Sequence, residues 1–282
     1  MKTHTIPVHN FDLDHTLRCG QVFRWRDDKD NWIGIVGNSV IKAKQAGNRL
    51  IVESDLDIGH VTSYFRLNDD LDGIYQCINK DAMMNEAIAM YRGMRIIKQD
   101  PWECLISYIC SRQNRIEKIE RTVFHLSKNF GDEIHFDNKI FYTFPKPDEL
   151  AKASLDDLRK CQFRFGDKQA EEIKGIAQLV SEGGFCLERL RELDYESAKE
   201  ELMSLEGVGH KVADCVLLFS LDELEAFPVD VHVRRIVQRD YFRNNKISDK
   251  KLREWAGRYF GKYAGYAQQY LFYYERTKEM QR

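Results

Sequence analysis

The chain has no apolar run close to the roughly 18 to 20 residues that span a membrane. Its opening, MKTHTIPVHNFDLDH, is too polar to read as a secretory signal. These two absences lead to the expectation of an intracellular protein, cytoplasmic or at the nucleoid, with no membrane partner. Cysteine in a metal-binding or disulfide pattern is also missing. The seven cysteines (Cys19, Cys77, Cys104, Cys110, Cys161, Cys186, Cys215) are odd in number and scattered, no two form a C-x-x-C pair, and none follows Cys215. Reduced thiols are therefore expected, with neither a structural zinc site nor an iron–sulfur cluster. A basic excess is lacking too: the formal net charge is −2, which argues mildly against a nucleic-acid partner. The distribution softens that objection, because from Val229 onward 13 Lys plus Arg face only 6 Asp plus Glu. Such an excess reads equally well as a solvated helical face and as a binding face.

What is present is the composition of a folded protein. The 282 residues are 43% hydrophobic, 31% charged and 12% aromatic, enough for one large or two ordinary domains. Four short runs rich in β-branched and aromatic residues, at 21–26, 31–37, 39–45 and 49–54, are separated by Gly-Asn at 37–38 and 47–48 and predict an antiparallel meander. The apolar period then changes to that of helices. A segment from Asp81 to Lys98 places Met84, Ile88, Tyr91 and Arg95 about a turn apart and stops at Asp100-Pro101. Beyond it only helix signals are found, from Pro101–Cys110 and Ile116–Phe130 through His210–Ser220 and Val231–Phe242 to Tyr263–Lys278. The expectation is an α+β protein. A twisted antiparallel β domain with some helices over 1–98 would be followed by an all-helical domain over 99–282.

The stretch LEGVGHKVAD (205–214) carries the first chemistry. One helix ends near Leu205, Gly207-Val208-Gly209 makes a tight hairpin, and a second helix opens at about His210. Glycines turn backbone amides outward, and a helix N-terminus adds unpaired N–H groups and the positive end of a dipole, an arrangement suited to a phosphate. L-x-G-V-G over about 195–220 is the pattern of a helix-hairpin-helix, which grips a nucleic-acid backbone through amides, those of Gly207, Gly209 and Val212 among them. A plain helical turn with glycine caps fits G-x-G alone at least as well. Along the second helix Lys211, Cys215 and Phe219 are spaced i, i+4, i+8 and share a face, placing an amine beside a thiol and an aromatic wall. A neutral amine in such a place is a nucleophile. Nineteen residues on, in FPVDVH (227–232), Asp230 follows an extended stretch and precedes a helix. It reads equally as an N-cap and as a carboxylate held near Lys211, with His232 in the next turn available to a phosphate.

With LEGVGHKVAD and FPVDVH in order, and with CGQVFRW (19–25), QDPWECLISYICS (99–111) and YAGYAQQYLF (263–272) around them, nearly the whole chain resembles the 8-oxoguanine branch of the helix-hairpin-helix DNA glycosylases. The resemblance implies a bifunctional glycosylase and AP lyase, a monomer acting on double-stranded DNA that contains oxidised guanine. The damaged nucleotide would be flipped into a pocket between the domains. Lys211 would attack the sugar C1′ and form a Schiff base, and Asp230 would stabilise the charge that develops on the sugar. Gly20 would offer its carbonyl to the lesion. The N7 of 8-oxoguanine carries a hydrogen where guanine has a lone pair, a difference of roughly 1–3 kcal/mol if the acceptor is left unpaired. Gln268 would bond the Watson–Crick edge of the base, Phe272 would stack on one face and Cys215 on the other, with Phe219 further along the lysine's helix. Without the resemblance, Gly20 reads as a turn glycine, and Phe272 and Cys215 as core. No cofactor or metal ligand set is implied, although a monovalent or calcium ion on hairpin carbonyls would leave no trace in composition.

The family pattern breaks on the DNA-facing side. Relatives of the eukaryotic type read the orphaned cytosine with two arginines and fill the gap with an asparagine. Here Lys118 and Gly166 fall at the arginine positions and Gln113 at the asparagine, while Phe165 keeps the place of the wedge that props the duplex open. Lysine cannot reproduce the bidentate fork of arginine, so a relaxed preference for the opposite base is expected.

Overall fold

The structure is a computed structural model that describes residues 2–280. The apolar runs and their Gly-Asn turns build a five-stranded antiparallel sheet. Its order is β1 (Lys2–Pro7), β5 (Arg49–Ser54), β4 (Ser39–Ala46), β3 (Asn31–Val36) and β2 (Trp25–Asp28). Gly37 and Gly47 supply the left-handed turns at φ +57° and +56°. Ile41 and Ala43 on β4 and Leu50 and Val52 on β5 are wholly buried, and with Trp25, Trp32 and Phe65 they give the sheet a core of its own.

One strand is added in this region and two local readings change. The N-terminal segment is an edge strand, in register with β5 from Lys2↔Ser54 to Pro7↔Arg49. Its polarity hides it, since only Ile6 of the six residues is buried. The run 21–26 pairs only from Trp25, because the residues before it serve another purpose. Gln21 is fully buried. Its Nε2 donates to Thr16 O at 2.9 Å and Arg95 O at 2.8 Å, and its Oε1 accepts from Ile97 N at 2.8 Å. Finally, the helix expected over 81–98 ends early. The helices here are α1 (Leu13–Arg18), α2 (Ile58–Tyr64), α3 (Leu71–Ile78) and α4 (Ala82–Met90). Gly93, at φ +90°, lies so close to the chain at Asp12 that a Cβ would come within 2.7 Å of its amide nitrogen. Residues 94–100 then follow neither helix nor strand, and Arg95 is buried with its guanidinium on the carbonyls of Arg66, Asp69 and His9 instead of on a helix face.

The rest is helical as expected: α5 (Pro101–Cys110), α6 (Ile116–Phe130), α7 (Pro147–Lys152), α8 (Leu155–Arg159), α9 (Gly166–Ser181), α10 (Tyr195–Met203), α11 (His210–Ser220), α12 (Val231–Asp240), α13 (Asp249–Phe260) and α14 (Ala264–Met280). One hairpin interrupts the all-helical expectation, β6 (Glu133–Phe136) with β7 (Lys139–Tyr142), turned by Asp137 and Asn138 at φ +48° and +57°. The buried helices α5 and α11 pack on each other at the centre. α14 returns to the first third of the chain, where Tyr270 OH meets Tyr75 OH at 2.8 Å and Met94 O at 2.9 Å. α3 and α4 therefore share the larger core with the helices, while the sheet stands apart. An ionic clasp closes the junction: Asp222 takes Arg66, Lys98 Nζ at 2.5 Å and Arg191 Nη1 at 3.2 Å. Among the described residues no helix is long and apolar enough to cross a membrane.

Candidate active site

The hairpin forms between α10 and α11 as the glycines require. Gly207 takes φ +82°, and a Cβ there would meet the Glu172 carboxylate at 2.8 Å. Arg112 ties the turn down, donating to Gly207 O at 3.0 Å and pairing with the buried Glu172 of α9. A second lock lies beneath it: Lys199 of α10 and Asp214 of α11 form a buried pair at 2.6 Å, with Tyr195 OH donating to the same carboxylate at 2.7 Å. Gly209 caps α11 without any side-chain hydrogen bond, whereas most other helices of the protein start on an Asp or Ser that consumes an amide. The first-turn amides, Val212 among them, are thus left to an outside acceptor, although the Val212 side chain itself is core. Among the described residues no three His, Cys, Asp or Glu side chains are placed to share a metal ion. A cation at the hairpin would have to use backbone carbonyls, and that of Gly207 already faces a guanidinium.

Lys211, in the first turn of α11, reaches inward rather than toward solvent. Its Nζ donates to Ser111 Oγ at 2.8 Å and stands 4.9 Å from the centre of the Tyr108 ring. Tyr108 in turn stacks on Phe219 at 5.4 Å and 8°, and its hydroxyl donates to Gln21 O at 3.1 Å. Phe219 therefore backs the ring beneath the lysine and is itself core. Cys215 lies one turn along. Burial pushes its thiol up to about 12; the Lys211 ammonium pulls against that, and the Asp214 and Asp230 carboxylates add to it. Charges on Lys211 and Asp230 thus act in opposite directions on the same buried thiol. Asp230 is an N-cap after all, with Oδ1 accepting from Val233 N at 2.8 Å. Among the described residues its other carboxylate oxygen has no hydrogen bond.

The other residues expected at the base pocket stand at the end of α1 and on α14. Gly20 directly follows Cys19, the C-cap of α1, and takes φ +88°, so the turn-glycine reading is correct as far as it goes. The Gln21–Tyr108 bond fixes this strap beside the lysine, and Gln269 Nε2 fixes it to α14 through Cys19 O at 3.2 Å. On α14, Gln268 is 4% exposed, and its buried Oε1 has no partner among the described residues. An unpaired buried amide costs about 1–3 kcal/mol, which a ligand edge would recover. Phe272, half-buried, meets the His232 ring edge-on at 5.7 Å and carries the Arg276 guanidinium at 5.5 Å. His232 Nδ1 lies 3.0 Å from Glu279 Oε2 but without the geometry of a hydrogen bond. A separate cavity of about 530 Å³ lies away from the lysine, between β2, β3, α6 and β7, and includes Trp25, Ile33, Phe124 and Phe141 in its wall.

The expected duplex-facing residues gather at two neighbouring turns. Gln113 is exposed at φ +49° after α5, Lys118 is exposed in the first turn of α6, and Phe165 is 40% exposed at the start of α9. The Arg112 guanidinium, 5.4 Å from the Phe165 ring, joins the two turns. Gly166, at φ +55°, has nothing within 4 Å of its Cβ position. Sequence reasoning missed Tyr108, Ser111, Gln269 and Arg276. The first two are an i, i+3 pair at the end of α5, and Arg276 extends the Gln268–Phe272 stripe by one more turn.

Comparison with known proteins agrees along the whole chain. Residues 4–105 match the family described as the N-terminal domain of 8-oxoguanine DNA glycosylase, and 106–261 match the HhH-GPD superfamily of base excision DNA repair proteins. A probable N-glycosylase/DNA lyase of Methanothermobacter thermautotrophicus is 31% identical, covering 96% of this chain and 95% of that one. The N-glycosylase/DNA lyase of Saccharomyces cerevisiae is 35% identical over 86% of this chain and 71% of its own. Among solved structures, the Clostridium acetobutylicum 8-oxoguanine glycosylase/lyase, bound to double-stranded DNA with cytosine opposite 8-oxoguanine, superposes with a TM-score of 0.92, 31% identity and 99% of both chains. The 3-methyladenine DNA glycosylase of Archaeoglobus fulgidus also shares the fold, at TM-score 0.81 and 26% identity over 97% of this chain and 98% of that one.

Proposed function

The chain belongs to the 8-oxoguanine DNA glycosylases of the HhH-GPD base-excision superfamily, and from that premise we propose how its own residues carry out excision and strand cleavage. The protein is a base excision repair enzyme, an N-glycosylase with AP lyase activity on oxidised guanine in duplex DNA. In our reading the hairpin amides hold the phosphate backbone and the lesion is flipped out of the stack into the space bounded by Gly20, Gln268, Phe272 and Cys215. The Lys211 amine, steered by its bond to Ser111, attacks C1′ as the bond to the base breaks, and the departing base takes the bonding electrons and the proton that the new C1′–N bond makes the nitrogen shed. The free oxygen of Asp230 faces the positive charge that spreads over C1′ and the ring oxygen. Opening of the sugar gives a Schiff base on Lys211, and loss of a C2′ proton then expels the 3′ phosphate by β-elimination.

One observation carries this assignment: Lys211 is held at 2.8 Å by Ser111 over an aromatic ring, within electrostatic reach of the thiol that Asp230 also reaches. A lysine serving only a structural clamp needs no such inward seat. The shared fold of a 3-methyladenine glycosylase means that architecture alone does not choose the substrate. The choice of oxidised guanine rests on the Gly20 carbonyl and the unpartnered Gln268 amide. We also propose that the protein acts as a monomer in the compartment of its DNA, and that Lys118 and Gly166 relax its preference for the base opposite the lesion. Borohydride trapping on a duplex containing 8-oxoguanine tests the core of the proposal: wild type yields a covalent adduct and Lys211→Gln yields none. Base release by wild type with no trappable adduct would remove Lys211 from the role of nucleophile.

A further inference from the structure

The strap that carries Gly20 has its carbonyls accounted for on both sides of that residue. Thr16 O accepts from Gln21 Nε2 at 2.9 Å, and Arg18 O accepts from Arg276 Nη2. Cys19 O accepts from both Gln269 Nε2 and Arg276 Nη1, each at 3.2 Å. Gln21 O accepts from Gln99 Nε2 at 2.8 Å and Tyr108 OH at 3.1 Å. Among the described residues the Gly20 carbonyl has no donor, although the carbonyls directly before and after it, those of Cys19 and Gln21, are each doubly paired. The left-handed φ of +88° turns it out of the axis of α1, so it is an acceptor left open between saturated neighbours.

Two of those donors come from one helix. Gln269 and Arg276 are seven residues apart on α14; of the two proposed base contacts, Phe272 lies between them and Gln268 directly precedes Gln269. The guanidinium also packs on the rings of Phe272 and Tyr273, at 5.5 and 5.2 Å, which fixes its direction from behind. It stands where a side chain at Gly20 would project, together with the Ile116 methyl of α6 at 2.8 Å. No carboxylate pairs with Arg276 among the described residues. Its fork is spent on the end of α1, where a cation also meets the negative end of the helix.

We propose that Arg276, assisted by Gln269, is a specificity-determining positioning residue that holds the Gly20 carbonyl rigidly at the N7 edge of the flipped base. The inference rests on the assignment of Gly20 as the lesion contact. Its physical basis is that a carbonyl discriminates a donor from an acceptor only if it cannot rotate away from the acceptor. A loose peptide would turn from the guanine N7 lone pair and accept undamaged base at little cost. The rigid strap denies guanine that escape.

The readout is a ratio, because a merely structural residue weakens binding to both duplexes alike. In a Lys211→Gln background, equilibrium dissociation constants are measured for one duplex carrying 8-oxoguanine and for the same duplex carrying guanine, each opposite cytosine. Arg276→Ala is expected to lower the preference for the 8-oxoguanine duplex by roughly tenfold, and Arg276→Lys, which cannot fork to two carbonyls, to lower it by less. Gln269→Leu, which removes the other donor on Cys19 O, moves the ratio in the same direction and guards against a misfolded Arg276 variant. An unchanged ratio in all three, with the Lys211→Gln parent still preferring the lesion, overturns this inference and leaves the reaction assignment standing. A parent that shows no preference for the lesion overturns the Gly20 assignment and this inference together.

Discussion

Asp230 has one duty visible in the fold and a second that we propose for it in the chemistry, and substitution separates them. Its Oδ1 caps α12 through Val233 N at 2.8 Å, while the other oxygen is free of hydrogen bonds among the described residues. Asp230→Ala removes both functions. Losing the cap costs about 1 kcal/mol, which in a protein of this size lowers Tm by roughly 2–4 °C. Asp230→Asn keeps an oxygen for Val233 N, and asparagine is as good a cap as aspartate, so its Tm stays within about 1–2 °C of wild type. The charge is a separate matter. At about 5 Å and an effective dielectric near 20, one unit charge stabilises a developing sugar cation by about 3 kcal/mol. That corresponds to a loss of roughly a hundredfold or more in the single-turnover rate of base release, for Asn as for Ala. The assay is single-turnover excision on an 8-oxoguanine duplex beside thermal melts of the three proteins. An Asp230→Asn variant that melts normally and cuts within about threefold of wild type would reduce Asp230 to a cap and refute the reasoning.

Excision rates opposite C, A, G and T should fall within about a tenfold range, since each bidentate arginine contact that Lys118 and Gly166 forgo would otherwise supply roughly 1–3 kcal/mol of discrimination; a steep C-only preference contradicts this. The Asp222 clasp sets an acid limit. Burial pushes its carboxyl up, but Lys98 and Arg66 outweigh that and hold it below the ordinary value. With the folded value depressed, the contribution is fully present above the unfolded value of about 4 and is lost as pH falls through the lower folded one. Asp222→Asn should therefore lower Tm at pH 7, and the gap from wild type should close as pH drops below about 4; a constant gap would show that the clasp is not electrostatic. Iodoacetamide at neutral pH should label the exposed Cys77 and Cys186 and spare Cys215, which is 2% exposed with its thiol pushed up to about 12. Early labelling of Cys215 in peptide mass spectra would contradict its placement in the wall of the pocket.

The helices and the hairpin were legible because their signals are local. Pro101 after Asp100, Ser248 before α13 and the glycines of LEGVGHKVAD each act within a turn of where they stand. What was not legible depends on partners far along the chain. β1 is a strand because β5 offers it an edge 42 or more residues away, not because KTHTIP alternates convincingly. The helix from Asp81 continues in pattern through Arg95, yet Gly93 is needed flush against Asp12, and that contact breaks it. In the site, the i, i+4 spacing set Lys211 beside Cys215, whereas Gln268 and Phe272 were picked out only by the family resemblance. The spacing placed Phe219 in the pocket, although Tyr108 lies between that ring and the lysine. Ser111, 100 residues from Lys211 in sequence, and Arg276, more than 250 from the carbonyls it holds, have no local signal for those roles.

The central claim is that Lys211 is the amine that becomes bonded to the sugar. Its most direct test is to trap wild type on an 8-oxoguanine duplex with borohydride, digest the complex, and locate the adduct by peptide mass spectrometry. The account predicts the added mass on the peptide that contains Lys211 in LEGVGHKVAD. The same mass on any other lysine or on the N-terminal amine, with Lys211 unmodified, would contradict it.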